Sequence, residues 1–307
     1  MKVSLIICTY NRAESLKETL AYVKNLATPS NCDWEVIVVD NNSADHTHDV
    51  VSQLQDTWPN LRYEFENQQG LSFARNHGIA CSNGEILFFT DDDVLPEPDW
   101  IEKSLNGLEK HKADACGGFI APIWEKAPPT WLTEKFHGFL AIRTDRTEDY
   151  IINESSQLPF GANMAFKRSV FDDFGGFDVN RGRKGNVLAS GEDGEMFERL
   201  LNAGGKVVFI ASAKVHHKVE GFRLTKKYFR KWRYQTSRNI ALSNGWPGER
   251  KIAGIPLYIF PQLARAILNS VKSRIYGTPE ETLLKDIITC HFIGTIFGLA
   301  QRNKEQS

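Results

Sequence analysis

Three consecutive carboxylates, Asp91-Asp92-Asp93, follow the apolar run Phe88-Phe89-Thr90. In extended backbone alternate side chains share a face, so Asp91 and Asp93 are expected to converge while Asp92 points elsewhere. Two oxygen donors on one side suit a hard divalent cation, Mn2+ or Mg2+, that keeps its other positions for water and a diphosphate. An acidic turn ahead of Pro96 is the plainer alternative. Asp40 ends a second apolar run and precedes Asn41-Asn42-Ser43-Ala44-Asp45. A carboxylate there can accept hydrogen bonds from a ribose or a base, while Ser43 or Asp45 caps the helix that follows. Glu192 and Asp193, in Gly191-Glu192-Asp193-Gly194-Glu195, open a helix. The helix dipole alone favours acids in a first turn, and a carboxylate bordering a closed site also serves as a general base. His216 and His217 follow the strand-like run 206–210, and one of the pair is a candidate metal or phosphate contact.

These residues need elements to hold them. Over the first hundred residues short apolar runs alternate with helical patterns, the signature of βαβ units and a mostly parallel sheet. Strands are expected at 3–8, 35–39 and 85–90, with a weaker one at 61–65, and helices at 13–26, 45–55 and 72–81. The acidic residues then stand at the carboxyl ends of strands, where open α/β sheets bind ligands. No GxGxxG follows the first strand; Cys8-Thr9-Tyr10-Asn11-Arg12 stands there instead, which argues against a dinucleotide-binding oxidoreductase. Beyond residue 122 a Pro/Trp-rich stretch, 124–131, and a polar segment, 144–157, read as surface insertions. A strand at 163–167, a helix at 192–202 and a strand at 206–210 follow, then helices at 225–243, 255–276 and 279–301.

Composition narrows the classes further. Lys and Arg number 37 against 38 Asp and Glu, a balance that excludes a dedicated nucleic-acid binder. Five scattered cysteines with no CxxC pair suggest neither a disulfide framework nor a zinc ribbon, and point to a reducing, cytoplasmic compartment. The apolar run after Met1-Lys2 is too short for a cleavable signal.

Taken in order, Thr9-Tyr10-Asn11, Asp40 with its Asn-Asn-Ser-x-Asp tail, Gly70-Leu71-Ser72-x-Ala74-Arg75-Asn76, Asp91-x-Asp93, Phe160-Gly161-Ala162-Asn163-Met164-Ala165 and Glu192-Asp193 resemble glycosyltransferase family 2. The resemblance covers roughly residues 1–220. It implies a GT-A fold, an α/β architecture with a mostly parallel Rossmann-like sheet flanked by helices, here with a C-terminal helical extension. It further implies a nucleotide-diphosphate sugar donor, a divalent cation (Mn2+ or Mg2+) and inversion at the anomeric carbon. Carried over by position, Thr9, Tyr10, Asn11, Arg12, Asp40, Asn42, Gly70, Arg75, Asp91 and Asp92 would form the nucleotide side. Asp93, with Asp91 and His217, would hold the metal, His216 being the alternative histidine. Asp193 would be the base, beside Glu192, and Gly161, Ala162 and Asn163 would line the acceptor side. The expected division is a catalytic domain 1–220, with a nucleotide-binding half 1–120 and an acceptor-side half 121–220, and a helical region 221–307. Uridine is the favoured nucleoside and a lipid-linked glycan the favoured acceptor.

One departure matters. Processive members carry a Gln-x-x-Arg-Trp signature after the base, whereas the comparable helix here reads Arg230-Lys231-Trp232-Arg233-Tyr234-Gln235. A single-addition enzyme is therefore expected. The basic stretch from Arg223 to Arg238, with Tyr228, Phe229, Trp232 and Tyr234 interleaved, suits an anionic bilayer surface or a phosphate-bearing acceptor. The apolar runs at 255–271 and 287–300 fall short of about 20 uninterrupted apolar residues. They are assigned to peripheral contact with the inner face of the cell membrane or to a homodimer interface. Two rival classes share these residue types: a silent nucleotide-sugar-binding scaffold and a metal-dependent nucleotidyltransferase. Metal-dependent donor hydrolysis separates the first, and release of pyrophosphate from a nucleoside triphosphate the second.

Overall fold

The computed structural model describes residues 2–27, 32–185, 187–188 and 190–306. The chain divides into two compact units, the first comprising Met1–Ile123, Ala141–Val179 and Glu192–Lys218. In it, β1 (Lys2–Thr9), α1 (Ala13–Val23), β2 (Asp33–Asp40), α2 (Thr47–Gln55), β3 (Leu61–Phe65), α3 (Leu71–Cys81) and β4 (Ile86–Asp91) alternate as the periodicity requires. There follow β5 (Val94–Pro96), α4 (Trp100–His111), β6 (Ala115–Trp124), β7 (Tyr150–Ile152), β8 (Met164–Lys167), α5 (Arg168–Phe174), α6 (Glu192–Asn202) and β9 (Val207–Val219).

Among the described residues these strands form one sheet in the order β3-β2-β1-β4-β8-β6-β9-β5, with β7 also on β9. The first four are parallel. From β8 onward the recorded pairings are antiparallel. Alternation along β1 explains the layering. Leu5 and Ile7 enter one apolar cluster with Leu16, Leu20, Val51, Trp100 and Ile101. Ile6 and Cys8 enter the other with Ala74, Phe171 and Phe197. Helices α1, α2 and α4 thus cover one face and α3, α5 and α6 the other, leaving the strand ends open for polar loops.

The structure corrects several expectations. The strand expected at 206–210 runs on to Val219, so His216 and His217 lie within it rather than past its end. After Ile210 its burial alternates, with Lys214, His216 and Lys218 on the less buried side, and a half-solvated strand lacks the unbroken apolar run that marks a central one. The polar segment 144–157 contains an edge strand, since Tyr150–Ile152 pairs antiparallel with β9.

The second unit comprises Trp124–Leu140, Asn180–Gly191 and Val219–Ser307. It holds α7 (Lys226–Asn244), the two-residue strands β10 (Lys251–Ile252) and β11 (Ile255–Pro256), α8 (Ile259–Tyr276) and α9 (Pro279–Gln306). Thr225 caps α7 by accepting from the Tyr228 amide. The aromatic residues of α7 do not face solvent as a bilayer-binding surface would require. Phe229 packs on Trp131, Phe136 and Phe139 at centroid distances of 5.5–5.6 Å, and Trp232 on Phe139 at 4.9 Å. Of the Pro/Trp-rich stretch, Trp131 alone anchors to this cluster, while 125–128 and Thr130 are exposed, as a surface insertion requires. Helix α9 lies against α7 at Gly294 and Gly298, where an added Cβ would stand 2.3 Å from the carbonyl oxygens of Tyr234 and Arg238 respectively.

Candidate active site

The sequence-selected residues meet at the carboxyl ends of β1, β2 and β4, all within the first unit. The loops after β1 and β2 are tied together. Asn11, in a left-handed conformation (φ 52°), donates its amide to Ser43 Oγ at 2.9 Å and accepts at Oδ1 from the Ala44 amide at 2.7 Å. Asp45 accepts from the Ala13 amide at one oxygen and from the Thr47 amide at the other, serving the first turns of α1 and α2 at once. Burial opposes the charge of Asp45, but these bonds with the Thr47 hydroxyl hold its carboxyl below the ordinary range. Asn42 is exposed with φ 64°, and Tyr10 is half-buried.

Asp40 is buried and accepts from the Ser43 amide at 2.9 Å and from the Tyr63 hydroxyl at 2.8 Å. Its neighbour Asn41 accepts from the Gly70 amide at 2.7 Å and donates to the carbonyls of Glu66 and Gln68, setting the loop that leads into α3. Gly70 meets this geometry with φ 149°, open to glycine. Asn41 stood in the sequence only as part of the tail after Asp40, with no role of its own, and Tyr63 did not stand out. Asn41 was masked by the acidic residue beside it, and Tyr63 reaches Asp40 through a β2–β3 register that no local pattern encodes.

At the end of β4 the acidic triplet separates differently from the expected alternation. The strand stops at Asp91 and the chain turns before Val94, so period-two geometry no longer holds. Asp92 and Asp93 share Arg12, at 3.4 and 3.0 Å, and Asp92 accepts from Thr9 Oγ1 at 2.7 Å. Asp91 faces the other way, 3.5 Å from Arg75 Nη2. Burial, reinforced by Asp93 and Asp91, raises the Asp92 carboxyl well above its ordinary value despite Arg12 and Thr9. Asp93 Oδ1 lies 3.5 Å from His217 Nε2, both side chains being 4% exposed. His216 points to Glu97 instead. Among the described residues the three donor groups that converge within 4.8 Å are Glu64, His77 and Cys81. Asp91, Asp93 and His217 therefore form no closed three-ligand cage; the pair Asp93–His217 stands together and Asp91 apart. A carboxylate beside an imidazole is a donor set that fits a divalent ion completed by a diphosphate.

Arg75, 3% exposed, joins the two sides of the site. Its Nη1 donates to Glu192 Oε1 at 2.8 Å and its guanidinium lies 5.4 Å from the Phe177 ring centroid. Burial works against its charge, but Glu192, Asp91 and Asp193 more than offset that and raise its pKa. Burial and the adjacent Asp193 push the Glu192 carboxyl up, against Arg75, and its Oε2 has no hydrogen-bond partner among the described residues. Asp193, half-buried, accepts from the Gly161 amide at 2.8 Å through Oδ2 and from the Gly194 amide at 2.8 Å through Oδ1. Gly161 is tight against Arg75, since an added Cβ would lie 2.2 Å from Nη2.

The rest of the 161–163 segment is structural in its contacts. The Ala162 carbonyl accepts from Thr90 Oγ1. Asn163 accepts from Trp100 Nε1 at 2.9 Å and donates to the carbonyls of Phe119 and Ala213. Its side chain, expected on the acceptor side, is instead occupied in fastening β6, β9 and α4 around the segment. Cys8, under this floor, has its thiol pushed up to about 12 by burial and is inert at neutral pH.

The fold is the GT-A architecture of solved glycosyltransferases. A mannosyltransferase from Pyrobaculum calidifontis, solved with GDP-Man and Mn2+, matches 99% of this chain and 88% of its own at 19% identity and a TM-score of 0.60. Residues 4–175 match the model described as glycosyl transferase family 2, and the chain belongs to that family. The glucosyl-dolichyl phosphate glucuronosyltransferase of Haloferax volcanii is 33% identical over 73% of this chain and 71% of its own length. The succinoglycan biosynthesis protein ExoM of Rhizobium meliloti is 26% identical over 78% and 74% respectively.

Proposed function

We propose that this glycosyltransferase moves one sugar from a nucleotide-diphosphate sugar, with uridine favoured, to a hydroxyl of a lipid-linked glycan, inverting the anomeric centre. The observation that carries the reading is the Arg75 junction, which ties Asp91 on the donor side to Glu192 at the start of the helix bearing Asp193. The archaeal relative's glucosyl-dolichyl phosphate substrate supports the acceptor class, and the absence of Gln-x-x-Arg-Trp supports single addition. A cytoplasmic enzyme working at the inner membrane face follows from such an acceptor.

Asp93 and His217 would hold Mn2+ or Mg2+, which supplies positive charge against the charge that develops on the departing diphosphate. Asp40, fixed by Tyr63 and Ser43, accepts from the nucleoside. Asp193 takes the proton of the attacking hydroxyl. Its orientation is set by the Gly161 and Gly194 amides, which leave the carboxylate's other lone pairs for the acceptor. Arg75 keeps Glu192 from competing, holding its carboxylate in an ion pair.

The test incubates the protein with Mn2+ or Mg2+ and a panel of nucleotide sugars and measures nucleoside diphosphate released, with Asp93→Ala as control. Slow release from one donor, lost in the control, supports the reading. No release and no metal-dependent nucleotide binding from any donor overturns it in favour of a silent scaffold.

A further inference from the structure

Within the second unit, α8 presents two faces of different character. Ile259, Ala266, Ser270 and Ser273 are buried. Phe260, Ile267, Leu268, Val271 and Ile275 are exposed, Leu268 and Ile275 at 69% and 68%. At about 100° per residue these five fall within one arc of about 100°. Arg265 and Lys272 border that arc on one side and Arg274 on the other. The helix carries no acidic residue. A contiguous apolar face of this size on a folded unit marks a contact surface.

The neighbouring helix is the weaker candidate for lipid contact. By length and composition Pro279–Glu305 could cross a membrane. One side of it, however, is engaged inside the unit, where Gly294 and Gly298 meet the α7 backbone and buried Asp286 is paired with Arg230 at 2.6 Å and Arg274 at 2.9 Å, and its exposed apolar residues, Ile288 and Phe297, are fewer than those of α8. A second copy of α8 suits the stripe poorly, because a two-fold pairing would bring Arg265 and Lys272 against their own kind with no carboxylate between them. Aliphatic side chains flanked by cations are complementary to acyl chains beneath anionic headgroups.

We infer that α8 is an interfacial helix that lies in the plane of an anionic bilayer with its Phe260-to-Ile275 face among the acyl chains. The inference does not rest on the acceptor assignment, because binding is read on vesicles with no substrate present. The full chain is floated with vesicles containing about 30% phosphatidylglycerol and with pure phosphatidylcholine, at low and high salt, beside the double variant Leu268→Glu/Ile275→Glu. The protein should float with the anionic vesicles, more weakly at high salt and with phosphatidylcholine. The double variant should lose at least about tenfold in partitioning, with unchanged thermal unfolding and unchanged donor hydrolysis. Arg265→Gln/Lys272→Gln should weaken binding to anionic vesicles alone. Failure of the parent chain to float, or equal flotation of the double variant, overturns the inference. So does a dimer in sedimentation velocity that Leu268→Glu/Ile275→Glu dissociates in a chain that binds no vesicles.

Discussion

Gly161 connects the proposed base to the buried cation of the site: its amide holds Asp193 and its α-carbon abuts Arg75. Asp193→Asn should leave donor affinity nearly intact and lower kcat by about a hundredfold to ten-thousandfold, on the scale of a lost general base. Isothermal calorimetry with nucleoside diphosphate and steady-state rates separate the two quantities, and undiminished turnover would sink the assignment. Gly161→Ala should displace Arg75 from Glu192 and lower kcat by about tenfold or more, since sub-ångström misplacement of a catalytic group is costly. Asp93→Ala should abolish the difference in nucleotide affinity measured with and without Mn2+. At this scale the acidic positions were legible because a carboxylate after an apolar strand is conspicuous. Tyr63, Asn41 and the partners of Asn163 were not, because each acts through a contact between segments tens of residues apart. The direction of Asp92 was misjudged for a local reason, the turn that begins where β4 ends.

Among the elements, the parallel half of the sheet could be read from alternation of apolar runs with helical periodicity, because βαβ units are local in sequence. The antiparallel half could not. Strand β8 enters between β4 and β6, pairing Phe89 with Met164 and Gly117 with the same residue, and no local pattern encodes such distant partners. In the helical unit, Gly294 and Gly298 have no room for a side chain because they meet carbonyl oxygens rather than yielding side chains. Gly298→Leu should therefore destabilise this unit by about 1–3 kcal/mol or more through overpacking, read as a lower denaturation midpoint with the catalytic unit's nucleotide affinity retained.

Across the whole molecule, charge and connectivity set the response to acid and the order of folding. Burial opposes ionisation of Glu35 and Asp149, yet both carboxyls are held below their ordinary values. Glu35 accepts from Ser4, the Asn83 amide and Arg62, and Asp149 from the Ala211 amide, His111 and Lys110. In each case the unfolded chain binds protons first. This stabilisation is full above the ordinary values of 4.5 and 3.8 and drains away as pH falls below them toward the folded values. Glu192 acts with the opposite sign, its raised carboxyl taking up a proton more readily in the folded state. Glu35→Gln should cost about 1–2 kcal/mol near neutrality and flatten the loss of stability as pH falls below the ordinary value of 4.5, as urea titrations at neutral and acid pH would show.

Strand β9 pairs with β5 near one end and β7 near the other, and stands beside β6. During synthesis these three must wait with unpaired edges until residues 207–219 leave the ribosome. A message truncated before that point would yield a product with the nucleotide loops in place but open strand edges, prone to aggregation. The same late strand carries His217 to Asp93, so the proposed metal site is completed in the step that closes the sheet, and an incompletely made enzyme has no competent site with which to consume sugar nucleotide.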